Sequence, residues 1–221
     1  KHTPTRDRDL PVRYYEYGVV HRHEKSGVLH GLFRVREFTQ DDAHIFCEPD
    51  QIAAEVLEVL EFVDSVMKLF GFEYTMEVAT QGLKEALNGN NLPFTIDEGG
   101  GAFYGPKIDI IISDAIGRIC QCGTILVDFY LPDRFGVEYV ADDNTRKQPV
   151  MIHRAILGSF ERFIGILTEH YAGEFPFFLA PVQVIFVPIA DTHVDHAYEL
   201  KKRMVQEGMD AEVYDKNDSL N

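Results

Sequence analysis

At 221 residues with 45% hydrophobic content, the chain is long enough to bury a core and short enough to make no more than two domains. Its 36 acidic residues outnumber 21 basic ones for a formal net charge of −15, which argues against a chain that coats itself with nucleic acid, although a local basic face can still grip a phosphate backbone. No run approaches the roughly 18 apolar residues of a membrane span, Lys1 to Leu10 is polar, and the three cysteines (Cys47, Cys120 and Cys122) imply no disulfide framework, so a cytoplasmic protein without membrane contact is expected.

Tyr17 to His23 and Phe33 to Phe46 read as extended runs flanking the polar connection Glu24 to Leu32, a long antiparallel hairpin. A helix follows, with Asp50 as N-cap, Ile52, Val56, Val59, Leu60, Val63, Met67 and Phe70 at helical spacing, and Gly71 as its stop. Phe72, Tyr74, Met76 and Val78 alternate as in a strand. Lys107 to Ile112, Arg118 to Cys122 and Ile125 to Tyr130 supply three more extended runs, with a turn at Asp114 to Gly117. The stripe Ile156, Phe160, Phe163, Ile164 and Leu167 predicts a second helix over Arg154 to His170. After a proline- and aromatic-rich linker, Phe175 to Pro181, a strand (Val182 to Pro188) and a helix (Val194 to Glu207) open a second, α/β domain. No internal repeat is present. The expected fold class is α+β, an antiparallel sheet flanked by helices.

Arg34, Arg36, Phe38, Gln40, Asp42 and His44 fall at every second position and share one strand face; Arg22 and Glu24 stand two apart on the outgoing strand. Arginine forks suit phosphate oxygens, a phenyl ring suits stacking on a base, and a carboxylate suits an exocyclic amine, so this surface reads as a nucleotide site. The alternative is the wet face of an antiparallel sheet, where alternating polar residues are ordinary. Arg162, off the apolar stripe of its predicted helix with Gly158 and Gly165 on the same side, either meets a ligand or is solvated. Taken alone, His44 and His153 read as ordinary polar histidines, and Cys120 and Cys122 as packed thiols.

At these residues a resemblance becomes specific. His21-Arg22-His23-Glu24, followed after a loop by Phe38-Thr39-Gln40-Asp41-Asp42-Ala43-His44-Ile45-Phe46, resembles motif 2 of class II aminoacyl-tRNA synthetases in its threonyl version. His153-Arg154-Ala155-Ile156-Leu157-Gly158-Ser159 with Glu161-Arg162 resembles motif 3. Gly101-Ala102-Phe103-Tyr104-Gly105-Pro106-Lys107 and Gln121-Cys122-Gly123-Thr124 are also similar to threonyl enzymes. The similarity to the threonyl-tRNA synthetase family runs from about Leu10 to the end.

The resemblance implies a zinc-dependent threonine–tRNA ligase that activates L-threonine with ATP and Mg2+, then loads it onto tRNA(Thr), as a homodimer. Arg22 would hold the α-phosphate, Glu24 would accept from the adenine amine, Phe38 would stack on adenine, Arg162 would bind the γ-phosphate, and Arg34 would contact ATP or the tRNA end. Gln40, Asp42, Tyr104 and Gln121 would line the threonine pocket. His44 and His153 match zinc ligands, the metal taking the amino and hydroxyl groups of threonine and so rejecting valine.

The chain departs from the family pattern in three ways. The third zinc ligand of the family, a cysteine in a segment before residue 1, is absent from this chain. After Val78, Ala79-Thr80-Gln81 runs straight into Gly82-Leu83-Lys84 where the family has a longer, tryptophan-containing stretch, so residues are expected to be missing near 79–82. Leu126 stands where the family has a glutamine near the amino acid. The expected division is 1–179, a class II catalytic domain incomplete at its N-terminus, and 180–221, the beginning of an anticodon-binding domain. A prolyl- or seryl-type enzyme would share Arg22 and Arg162 without needing Asp42, His44 and His153. A catalytically silent paralogue acting as an RNA-binding or regulatory module is the alternative of a different class.

Overall fold

The computed structural model describes residues 5–79, 93–96, 104–113 and 116–216, and the chain divides into two compact units, Lys1–His170 and Tyr171–Asn221. Residues 80–82 of the junction expected near 79–82, residues 101–103 of the glycine-containing motif, and residues 114 and 115 of the expected turn lie outside the described residues.

The first unit is built on one sheet. Its strands are β1 (Val12–His21), β2 (Glu37–Cys47), β3 (Tyr74–Val78), β4 (Thr95–Ile96), β5 (Lys107–Ser113), β6 (Ile119–Asp128) and β9 (Val150–Ser159), in the order β1-β2-β9-β6-β5-β3-β4. Every pairing is antiparallel except β3 with β4. A two-stranded ribbon, β7 (Tyr139–Val140) with β8 (Arg146–Lys147), follows the short helix α2 (Leu131–Arg134).

The hairpin, the first helix and the sheet class agree with the sequence pattern, with three corrections. Arg118 to Cys122 and Ile125 to Tyr130 are one strand, β6, running through Gly123 without a turn. The first helix, α1 (Ile52–Leu69), has Gln51 rather than Asp50 at its N-cap and no side-chain cap bond. The largest correction is at Arg154 to His170. Residues through Ser159 belong to strand β9, and the second long helix, α3, spans only Phe160–His170. β9 lies between β2 and β6, and its alternation is broken where Ile156, Leu157 and Gly158 stand opposite Asp41 alone, so that Ile156 falls into the helical spacing of the stripe that follows.

Val56, Leu60, Val63 and Met67 of α1 are buried, and the helix packs against β9 and β6 over Ile125, Val127 and Ile152. On the facing strands, register puts Ala43, Arg154 and Ile125 in one row and Ile45, Ile152 and Val127 in the next. The other face of the same three strands is left for polar chemistry. α3 packs on β2 and β9 with Phe163, Ile166 and Leu167 buried. Among the described residues no helix is long and apolar enough to cross a membrane.

The second unit contains β10 (Val184–Phe186) and β11 (Ala211–Val213), paired in parallel, with α4 (Val194–Gln206) connecting them and packing on β11. This is the expected α/β arrangement.

Candidate functional site

The polar face is ordered by strand register. Asp42, Ala155 and Thr124 form one row across β2, β9 and β6; His44, His153 and Leu126 form the next. Two cavities open on this face and share Gln40, Thr124 and Ala155.

The first cavity, about 180 Å³, is lined by Arg22, Glu24, Phe33, Arg34, Val35, Phe38, Gln121, Cys122, Gly158, Ser159 and Arg162 besides the shared residues. All five residues expected to hold ATP are therefore together. Arg22 lies over the Phe38 ring with its guanidinium carbon 4.9 Å from the centroid, a cation–π contact that fixes both side chains. Arg34 donates to Glu24 Oε2 through Nε at 3.1 Å and lies 3.0 Å from it through Nη2, while Arg36 Nε donates to the Glu24 carbonyl at 3.0 Å. Arg22 and Glu24 follow the end of β1 and Arg34 and Arg36 precede β2, so all four act from the connection and not from a strand face as expected.

Arg162 donates through Nε to Phe33 O at 2.9 Å and through Nη1 to Gln121 O at 3.5 Å. These carbonyls hold the guanidinium in the cleft. Gly158 does lie beside Arg162 in the cavity, though from the end of a strand and not across a helix face.

The second cavity, about 390 Å³, is lined by Asp42, His44, Tyr104, Leu126, Asp128, Tyr130, Leu131, His153 and Arg154 besides the shared residues. Of the four residues expected around threonine, Gln40, Asp42 and Tyr104 line this cavity. Gln121 does not line it. Its amide donates to Asp109 Oδ1 at 2.7 Å and to Thr124 Oγ1 at 2.8 Å, and its chain borders the first cavity. Asp109 also accepts from Thr124 Oγ1 at 2.8 Å and pairs with Lys107 Nζ at 2.7 Å, so this buried carboxylate ties β5 to β6 beneath both cavities.

The rings of His44 and His153 are direct cross-strand partners, 4.8 Å apart and nearly perpendicular. Nε2 of His153 lies 2.9 Å from Oδ2 of buried Asp128. Burial pushes the Asp128 carboxyl upward, yet the N–H groups of Leu131 and Tyr130 together with His153 outweigh it and hold it below the usual carboxylate range. Two imidazoles opening on one cavity, one of them oriented by a carboxylate, are suited to a metal. Among the described residues no group of three His, Cys, Asp or Glu side chains that could hold a metal ion is present.

Sequence reasoning did not single out Asp41, Glu161, Thr124, Asp128 or Asp109 as site residues. Asp41 carried a usable signal: it is an acid at a core-facing position of an alternating strand, between Gln40 and Asp42 on the polar face. Such a carboxylate needs buried donors, and it has them in the backbone N–H groups of Ile156 and Leu157.

Comparison with known proteins adds family context to this geometry. Residues 1–171 match the family described as tRNA synthetase class II core domain (G, H, P, S and T). A curated threonine–tRNA ligase of Sulfurovum sp. (strain NBC37-1) is 74% identical over 237 residues, covering 100% of this chain and 39% of that protein. Another, from Campylobacter jejuni subsp. jejuni serotype O:23/36 (strain 81-176), is 63% identical over 96% of this chain and 38% of its own length. The crystal structure of the RNA binding domain of threonyl-tRNA synthetase from Cryptosporidium parvum Iowa II superposes with a TM-score of 0.93 at 40% identity, covering 99% of this chain and 59% of that one. The chain thus spans about two fifths of the length of the curated relatives it matches.

Proposed function

The chain belongs to the class II tRNA synthetase core family, and from that premise we propose that it is the catalytic part of a threonine–tRNA ligase, which activates L-threonine with ATP to threonyl-adenylate and pyrophosphate and transfers the threonyl group to tRNA(Thr). The observation that carries this reading is that the two cavities adjoin at Gln40, Thr124 and Ala155, which would set an amino-acid carboxylate beside the phosphate end of a nucleotide.

In the first step a threonine carboxylate oxygen attacks the α-phosphorus in line; the new O–P bond forms as the bond to the pyrophosphate oxygen breaks. No protein nucleophile is needed, and positioning with charge neutralisation does the catalytic work. Arg22 neutralises the α-phosphate and the incoming carboxylate, Phe38 and Glu24 take the adenine ring and its amine, and Arg162 takes the γ-phosphate. Arg34 holds Glu24 in place and is available to ATP or the tRNA end. Mg2+ bound with ATP supplies further charge neutralisation. In the second step a ribose hydroxyl of the terminal adenosine attacks the acyl carbon and AMP leaves.

Gln40, Asp42 and Tyr104 bind threonine, Asp42 accepting from its hydroxyl. His44 and His153 would hold zinc with a ligand supplied from outside the described residues. When bound, zinc would supply a Lewis acid for the threonine amine and hydroxyl, and valine brings no hydroxyl to meet it. A homodimer acting in the cytoplasm completes the reading, as does the assignment of 180–221 to the start of an anticodon-binding domain.

The test is threonine-dependent ATP–pyrophosphate exchange by the full-length protein, with valine and serine as competitors and His44→Ala alongside. Exchange with threonine, rejection of valine and loss in the variant are expected. No exchange with any amino acid from folded, zinc-loaded protein would overturn the enzyme reading in favour of a silent RNA-binding or regulatory module.

A further inference from the structure

The ladder between β2 and β9 is broken at one place. Gln40 pairs with Ser159 while Asp42 pairs with Ala155, so Ile156, Leu157 and Gly158 stand opposite Asp41 alone. The β1–β2 register runs unbroken through the same residues, which puts the bulge in β9. Ladder bonds are lost there, and buried N–H groups on both strands need other acceptors.

Two carboxylates supply them, in opposite senses. Asp41 of β2 accepts from Ile156 N at 2.7 Å and from Leu157 N at 3.1 and 3.2 Å. Glu161, in the first turn of α3, accepts from Thr39 N at 3.0 Å on each oxygen. β2 thus contributes the acid that satisfies the backbone of β9, the helix that follows β9 contributes the acid that satisfies the backbone of β2, and the two contacts bracket Gln40. Neither carboxylate lines the nucleotide cleft. Arg162, which does, follows Glu161 directly, and its own N–H donates to Ser159 Oγ at 3.1 Å at the exit of the bulge. The chain between the two acids is therefore fixed at both ends of the step from strand to helix that presents Arg162.

We infer that Asp41 and Glu161 are positioning residues: together they form a reciprocal carboxylate clasp across the β9 bulge that sets the reach of Arg162 into the nucleotide cleft. The inference rests on reading that cleft as the ATP site. Its consequence is that removing either acid weakens ATP binding without removing any group that touches ATP. Asp41 also lies 3.8 Å from Arg154 Nη1, an ion pair on the α1 side that could matter to stability alone, so the measurement has to separate positioning from folding.

That measurement is threonine-dependent pyrophosphate exchange by the full-length protein, at varied ATP and varied threonine, for wild type, Asp41→Ala, Glu161→Ala and Glu161→Gln. In both alanine variants the KM for ATP rises about tenfold while that for threonine stays within about twofold, since an interaction serving one substrate has been lost. Glu161→Gln keeps a carbonyl oxygen for the Thr39 N–H and returns the ATP KM to within about threefold of wild type. A KM is independent of the fraction folded, so partial unfolding lowers only kcat; should Asp41→Ala fail to fold, the Glu161 pair decides. An unchanged ATP KM in the alanine variants, with kcat tracking the folded fraction, overturns the positioning role. A wild type without exchange overturns the ATP reading first and this inference with it.

Discussion

Nε2 of His153 lies 2.9 Å from Oδ2 of Asp128, a carboxylate with no exposed surface that also accepts the N–H groups of Tyr130 and Leu131 at 2.7 and 2.9 Å. An ionised carboxylate only accepts, so Nε2 of the ring carries a proton and Nδ1 is the nitrogen left to face a metal. If His153 holds zinc, Asp128 selects the tautomer and raises the basicity of the ligand. Asp128→Asn then lowers zinc affinity by about 10- to 100-fold, the usual effect of losing such a partner. Chelator competition on the purified full-length protein measures it, with ATP binding as the control. Zinc retention equal to wild type would remove Asp128 from the metal's surroundings.

His44 and His153 show how far the sequence could be read. Alternation along β2 put Gln40, Asp42 and His44 on one face, and the structure agrees, because a half-buried strand keeps period two. Nothing in spacing could bring His153 opposite His44; that pairing was available only through resemblance, and the register of β2 with β9 accounts for it. Where a bulge interrupts a strand the alternation is lost, which is why the end of β9, at Ile156 to Ser159, reads as the start of a helix. Gln121 was expected beside the amino acid. The register irregularity between Ile110 and Ile111 on the β5–β6 ladder, where Cys122 is the one extra residue, and the bonds of Gln121 to Asp109 and Thr124 put it at the first cavity, a shift that no motif encodes.

Gly158 tests the bulge through its backbone. It adopts φ +73°, and an added Cβ would collide with the Cys122 carbonyl of β6. Both features exclude a side chain, and the obstacle is backbone that cannot step aside. Gly158→Ala should therefore cost on the order of 3 kcal/mol, combining left-handed strain with a forced separation of β9 from β6. Urea unfolding of the catalytic unit within the full-length protein reads the loss. A change below about 0.5 kcal/mol, the scatter of ordinary surface substitutions, would show that this backbone approach is not rigid.

The two buried cysteines make a prediction about pH. Burial pushes the Cys47 thiol up to about 11, with Glu55 and Asp50 adding to it, and burial pushes the Cys122 thiol up to about 12, with Asp41 and Cys120 adding. Both lie above the ordinary value of 9.0, so each contributes stability that is complete below that value and lost as pH rises through 11 to 12. At pH 8 both remain protonated and slow. Iodoacetamide should modify them about 100-fold more slowly in the folded protein than after denaturation, because only the thiolate reacts. Peptide mapping after a timed pulse separates them from Cys120. Fast native labelling of Cys122 would contradict its place against the Ile156 carbonyl, 3.5 Å from its sulfur.

Leu126 is the departure from the resembled pattern that lies closest to the chemistry. It pairs in register with His153 and lines the second cavity between Thr124 and Asp128, on the face that otherwise carries Gln40, Asp42 and His44. An apolar side chain there offers threonine a surface for its methyl group and no partner for its polar atoms. Leu126→Gln restores an amide, and one added hydrogen bond is worth about 0.5–1.5 kcal/mol, so the KM for threonine should fall about 2- to 10-fold with the KM for ATP unchanged. Valine should gain nothing, since it brings no hydroxyl for the amide to meet. The opposite outcome, a raised threonine KM, would mean that this cavity grips the substrate methyl through Leu126 and leaves the polar atoms to Gln40 and Asp42.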